Sequence, residues 1–130
     1  MSLDVSPELL VQAEQGPIDD DAFVACVRDS LPWAYDLIAG LAGRLRAERG
    51  PFADNTTPPP DEQARGQLLR VLASDAMRGA LERHLGVRLA FQNCHRVAVF
   101  DPAQAGGTAW REFVSPGAQV RNQRPALRDC

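Results

Sequence analysis

The fold class follows from residues 61–100, which have the sequence DEQARGQLLRVLASDAMRGALERHLGVRLAFQNCHRVAVF. Up to Gly86, apolar residues recur every three or four positions, which is the spacing of one face of a helix. After Gly86, VRLAFQ and HRVAVF alternate apolar and polar residues with the period of a half-buried strand. We therefore predict helix over residues 61–85 and a β-hairpin over residues 87–100.

The helical part of this stretch leaves one question open. Asp61 is a suitable N-cap and Gly86 a suitable terminator. Ser74 and Asp75, in the middle, are also good caps, so the segment could form one helix of about seven turns or two shorter ones. The predicted apolar face comprises Leu69, Leu72, Ala73, Ala76, Met77, Ala80, Leu81 and His84.

Three more helices are predicted on the N-terminal side, at about residues 6–16, 19–31 and 32–50. Pro7 and Pro32 fit the first helical position, where the missing N–H is tolerated. In the third helix, Gly40 and Gly43 weaken the helix relative to alanine. We expect another helix to cross closely at these two glycines.

The remaining segments complete a mainly α (α+β) fold, with five to six helices and one β-hairpin packed on them. Residues 50–60, GPFADNTTPPP, are predicted to be a Pro-rich loop. In the C-terminal helical segment and tail, residues 101–130, Thr108 is the expected cap of one helix and Ser115 of another. We predict a single domain over residues 1–130, with its helical part at residues 1–86.

Composition narrows the classes of protein. The 130-residue chain has 45% hydrophobic residues and no apolar run of the roughly 20 residues that a membrane span requires. The first residues carry acids where a secretory signal would carry basic residues. We therefore expect a cytoplasmic protein with no membrane partner. All fourteen basic residues are arginine, which is typical of a GC-rich genome.

Charge divides the chain into two halves. Residues 1–61 have a net charge of −7 and residues 62–130 a net charge of +4. A basic half can mark a nucleic-acid interface, but an overall acidic protein repels DNA unless its basic residues cluster tightly. We favour attraction between the two halves of one chain or between two copies, and we consider nucleic acid an unlikely partner.

Cysteine and histidine supply the only chemical candidates. Cys94 and His95 are neighbours in the predicted turn, where they could form a reactive thiol or half of a metal site. With Cys26 and Cys130 they would offer ligand types suited to zinc or iron, although no CxxC-like spacing is present. Because neighbouring side chains on a strand point to opposite faces, we favour a purely structural turn and predict no cofactor.

No motif assigns an activity. The chain lacks a P-loop, GxGxxG, GxSxG and HExxH, so we predict no catalytic residues and lean against an enzyme. The leading hypothesis is a non-catalytic binding or regulatory module that self-associates or contacts another cytosolic protein. The alternatives are a thiol- or metal-binding protein and nucleic-acid binding through the basic C-terminal half.

The run from FADNTTPPP to HRVAVF, with the opening MSLDVSPELL and the closing RDC, resembles a family of small actinobacterial (Streptomyces-type) cytosolic proteins of unassigned function. The resemblance covers nearly the whole chain. It implies a lineage and an intact domain, and it implies no activity, cofactor or functional residue.

Overall fold

The computed structural model describes residues 3–93 and 95–122. In these residues the chain forms seven α-helices, one short 3₁₀ helix at Pro102–Gln104 and a three-stranded sheet. The elements run in the order α1 (Pro7–Gln15), α2 (Asp20–Ser30), α3 (Pro32–Glu48), β1 (Phe52–Asp54), α4 (Glu62–Ala73), α5 (Asp75–Leu85), β2 (Arg88–Gln92), β3 (Arg96–Phe100), α6 (Thr108–Phe113) and α7 (Pro116–Arg121). The mainly α, α+β class is confirmed, with more helices than expected.

The predicted hairpin is confirmed, and the sheet contains a strand that the sequence did not indicate. β2 and β3 pair antiparallel, with Leu89 opposite Val99. The third strand, β1, lies within residues 50–60 and pairs antiparallel with β3. The prediction of an irregular loop is therefore wrong for Phe52–Asp54, because pairing with β3 stabilises a strand too short to show periodicity.

The two faces of the sheet pack against different helices. On the first face, alternate residues such as Leu89, Val97 and Val99 join the main core, which α2 to α5 complete. On the opposite face, Phe52 and Phe100 belong to a smaller cluster with residues of α6. We call this second side the outer face of the sheet.

Residues 61–85 form two helices, and the break is at Ser74. The Ser74 hydroxyl accepts a hydrogen bond from the Met77 amide at 3.2 Å and so caps α5. The interruption changes the buried side of α4, where Leu68 and Val71 are fully buried while Leu69 is 44% exposed. The predicted face is therefore only half right, because it assumed one continuous period across both helices. Its buried members are Leu72, Met77, Ala80 and Leu81, and its exposed members are Leu69, Ala73, Ala76 and His84.

The helix starts follow the predicted caps more closely than the helix ends do. Ser6, Asp61 and Ser115 each accept a hydrogen bond from a backbone amide of the helix that follows. α3 ends at Glu48, and its C-cap residue Arg49 adopts the left-handed conformation with φ of 53°. The glycine at position 50 is therefore not the residue that terminates α3.

Two further expectations about glycine and threonine are wrong. A Cβ added at Gly40 or Gly43 would have no heavy atom of another element within 4 Å, so none of the seven described helices crosses closely there. Both glycines lie on the exposed side of α3. Thr108 is the first residue of α6, and Gly107 occupies the N-cap position without a side-chain bond.

None of the helices formed by residues 3–93 and 95–122 is both long enough and apolar enough to cross a membrane.

Candidate binding cavity

A cavity of about 640 Å³ lies between the outer face of the sheet and the helices α6 and α7. Its apolar wall includes Phe52 of β1 and Phe113 of α6. The polar side chains lining it include Gln92, Arg96, Thr108, Glu112, Arg121 and Asn122. Its size is within the range of pockets that bind small molecules.

Aromatic packing fixes the apolar wall. The ring centroids of Phe52 and Phe100 lie 5.0 Å apart in a stacked arrangement, and those of Phe52 and Phe113 lie 6.0 Å apart. Trp110 meets Phe100 edge to face at 5.0 Å. Such contacts add about 0.5–1.5 kcal/mol per pair beyond the burial of apolar area. The wall is therefore preformed.

The charged side chains around the cavity are paired with each other. Arg96 donates from Nε to Asp54 Oδ2 at 2.8 Å and lies over the ring of Phe113 at 5.4 Å. Arg121 forms an ion pair with Glu112 at the cavity rim. The lining therefore has little uncompensated charge.

Two buried side chains beside this region have no hydrogen-bond partner. Asn122, which directly follows α7 and lines the cavity, is 2% exposed, and neither its Nδ2 nor its Oδ1 forms a hydrogen bond. His95 is also 2% exposed, and both of its ring nitrogens are unpartnered. An unsatisfied buried polar group costs about 1–3 kcal/mol, so this pair marks an unusual place in the fold.

Burial lowers the pKa of His95 below 6.5, and the positive charges of Arg96 and Arg65 lower it further. The polar side chain of Asn122 faces the imidazole and acts in the opposite direction, without outweighing the burial. The imidazole is therefore neutral at pH 7 and offers one donor and one acceptor.

Asn55 holds the turn that carries His95. Its Nδ2 donates to the His95 carbonyl at 2.6 Å, and its Oδ1 accepts from the Val97 amide at 2.8 Å. The Asn55 side chain thereby forms, with the backbone of His95 and Val97, the kind of hydrogen bonds that a longer β1 would supply. Asn93, in the same turn, adopts the left-handed conformation with φ of 58°, which asparagine tolerates better than most residues.

The proposed thiol and metal residues cannot all be placed. Cys94 and Cys130 lie outside the described residues. Cys26 is a free, partly buried thiol on α2, and its Sγ lies 3.6 Å from the Asp4 carbonyl oxygen. Within residues 3–93 and 95–122, no three His, Cys, Asp or Glu side chains are grouped closely enough to bind a metal ion.

The residues that distinguish the cavity and the turn that carries His95 were mostly missed from the sequence. Asn55 and Asn122 belong to loop or helix-end segments, where asparagine is common and carries no specific signal. Gln92 belongs to the singled-out segment 92–95, but its role was not recognised. Its Nε2 donates to the Phe113 carbonyl at 2.5 Å and links β2 to α6.

The charge asymmetry is partly compensated inside the chain. Asp20 of the acidic half forms a bidentate ion pair with Arg83 of the basic half, and Asp54 pairs with Arg96. The bond to Arg83 lowers the pKa of Asp20, although this pair is on the surface. Attraction between the two halves therefore contributes to the fold itself.

Fold and cavity define a small α+β protein with a preformed pocket. The model of a family described as "NucS shadow ORF" matches residues 1–130, and the chain belongs to this family. Neither the curated proteins nor the solved structures include a match to this chain.

Proposed function

We propose that this chain is a non-catalytic binding module of the cytoplasm that acts by self-association, with helix α1 docking on a second copy. The observation that carries the proposal is the exposure of the apolar side of α1. None of the nine residues of α1 is buried. Leu10 and Val11 are 52% and 49% exposed, and Val5, just before the helix, is 43% exposed.

The length of α1 supports a requirement for a partner. Isolated helices shorter than about 12–15 residues are marginal in water, and most helices in proteins depend on packing of an apolar face. α1 has a well-formed start, with Ser6 as N-cap and Pro7 at the first position. Its apolar residues Leu10 and Val11 nevertheless remain in solvent. A contact covering Leu10 and Val11 would supply the missing packing.

Charge favours a second copy as the occupant. Asp4, Glu8 and Glu14 accompany the apolar side chains of this segment, and none of the three forms an ion pair within the described part of the chain. Residues 62–130 of another copy carry a net charge of +4. We therefore expect α1 of one protomer to contact the basic half of its partner. An anionic lipid surface would instead repel α1, which has no basic residue.

The test is the molar mass of the full chain by size-exclusion chromatography with light scattering. We expect a dimer or larger species at about 20 mM salt that weakens at about 500 mM, where charges are strongly screened. Leu10→Asp should yield a monomer. The matched control Gln12→Asp adds the same charge to the same helix and should remain associated. A wild-type monomer at high concentration, or equal behaviour of the two variants, would refute the proposal.

The proposal also requires that the chain be made in cells. A shadow open reading frame is one that overlaps another gene, and the family description uses this term.

We propose an actinobacterial origin, which the lysine-free composition supports. Mass spectrometry of the cytosolic fraction of the source cells should detect peptides unique to this chain. Their absence in growing and stationary cells alike would overturn a cellular function.

A further inference from the structure

We infer that the cavity between the outer face of the sheet and α6–α7 is a binding site for a free aromatic amino acid in its zwitterionic form. This inference is independent of self-association through α1. It depends on three features of the lining: an ion pair at the rim, an aromatic wall beside that pair, and a second ion pair that neutralises Arg96.

The rim of the cavity carries one negative and one positive side chain next to each other. Glu112 of α6 and Arg121 of α7 both line the cavity and form an ion pair. Their side chains are 65% and 63% exposed, so a ligand can reach both. The hydrogen bond joins one carboxylate oxygen to one terminal guanidinium nitrogen. Because a carboxylate has two acceptor oxygens and a guanidinium five N–H donors, each side chain can bind a further group of opposite charge.

A ligand with an ammonium and a carboxylate on one carbon is complementary to this pair. Its ammonium can donate to Glu112 while its carboxylate accepts from Arg121, so that every charge has an opposite neighbour. A monoanion would satisfy Arg121 and be repelled by Glu112, and a monocation would do the reverse. Each end of a peptide carries only one of the two charges. The rim therefore favours a free amino acid.

The aromatic wall determines the side chain of the ligand. Thr108, Ala109, Glu112 and Phe113 line the cavity from one side of α6, because helix positions four residues apart share a face. Phe113 directly follows Glu112, and its ring centroid lies 6.0 Å from that of Phe52. A ligand ring one methylene away from the charged carbon can therefore pack on these two rings while its ammonium binds Glu112. The volume of about 640 Å³ is ample for such a molecule.

The remaining charges of the lining favour a ligand without net charge. Arg96 is paired with Asp54, whose side chain is only 13% exposed, and it also lies over the ring of Phe113. An anion would have to compete with Asp54 for this guanidinium. Both arginines that line the cavity thus have a carboxylate partner. A zwitterion adds no net charge to this balanced set, whereas a singly charged ligand does.

The experiment is a titration of the ¹⁵N-labelled full chain followed by NMR, with four probes. Phenylalanine carries both charges and the ring, phenylpropionate lacks the ammonium, phenethylamine lacks the carboxylate, and alanine lacks the ring. We expect phenylalanine to bind about threefold or more tightly than either singly charged analogue, because each leaves one member of an exposed ion pair unmatched. It should bind at least about tenfold more tightly than alanine, which cannot pack on the aromatic wall. The largest shifts should occur at Thr108, Glu112 and Arg121.

Two substitutions test the two charges separately. Glu112→Gln should abolish the preference for phenylalanine over phenylpropionate and retain the preference over phenethylamine. Arg121→Gln should have the opposite effect. Both side chains are exposed, so we expect both variants to fold. The matched control is Glu62→Gln, the same change at an exposed position of α4 outside the cavity, and it should leave both preferences intact.

A third substitution tests the location of the site. Ala118→Leu adds volume to the cavity wall without changing a charge, and it should weaken the binding of phenylalanine by about threefold or more. The inference is wrong if phenylalanine gives no saturable shift or if either singly charged analogue binds as tightly. It is also wrong if Glu112→Gln and Arg121→Gln weaken all probes equally, or if Ala118→Leu binds phenylalanine as the unmodified chain does.

Discussion

Asn122 is a position at which a buried polar side chain should cost the folded protein stability. In the free protein its side-chain amide is 2% exposed and makes no hydrogen bond through either polar atom. Leucine has nearly the same size and shape but no polar group to desolvate. The Asn122 side chain does not cap α7. The hydrogen bond from Asn122 to the Ala118 carbonyl is donated by its backbone amide. Asn122→Leu should therefore stabilise the unliganded protein.

The size of the effect follows from the buried amide. Each unsatisfied buried polar group costs about 1–3 kcal/mol, and replacing it by an apolar group of the same shape removes that penalty. Because the amide faces the imidazole of His95, which offsets part of its penalty, we expect a gain in the free energy of unfolding near the lower end, at about 1–2 kcal/mol. For a chain of this length, each kcal/mol corresponds to roughly 3–5 °C in Tm.

Urea unfolding followed by circular dichroism measures this gain as an increase in the transition midpoint with an unchanged m value. The control is Asn122→Asp, which keeps the shape but introduces a charge into the same buried position and should lower stability. A loss of about 1 kcal/mol or more in Asn122→Leu would show that the amide has partners in the folded protein.

Four other substitutions test separate parts of the structure. Gly40→Ala and Gly43→Ala, in open space on α3, should each raise stability by about 0.5–1 kcal/mol in urea unfolding, and a loss at either site would reveal a hidden close contact. The pKa of His95 is lower in the folded than in the unfolded protein, so on acidification the unfolded chain binds the proton first. The contribution of His95 to the free energy of unfolding should be fully present above pH 6.5 and decline as the pH falls below it. His95→Gln should flatten that decline in unfolding curves measured across this range. Asn55→Ala removes the bond to the His95 carbonyl and leaves the Val97 amide unpartnered, so calorimetry should show a loss of about 2–4 kcal/mol, whereas a change below about 0.5 kcal/mol would contradict the bridging role.

The parts of the fold that the sequence predicts are those with local signals. The alternation in VRLAFQ and HRVAVF places Leu89 and Val99 on one face, and the structure pairs them directly. Ser6 and Ser115 have the side chain and the position of an N-cap, and both cap their helices. Such signals depend on neighbours within a few residues, which is why they are legible in a single sequence.

The parts that escape prediction depend on contacts between distant residues. β1 has only three residues, and it exists because β3 offers an unpaired edge. The sequence around Gly40 and Gly43 would look the same whether another helix packed against these glycines or solvent surrounded them. The cavity forms because α6 and α7 pack against the outer face of the sheet. The residue pattern within any one of these elements does not predict that packing.

The placement of β1 at the edge of the sheet has a consequence for how the chain folds. The β2–β3 hairpin closes over a few residues, so it can form early and locally. Asp54 and Asn55 meet their partners Arg96 and Val97 across 42 residues of chain, which include all of α4 and α5. Closing that long loop carries a larger entropic cost, so β1 should dock after the hairpin and the two helices have assembled. Mutations in β1 should consequently accelerate unfolding while leaving the folding rate almost unchanged.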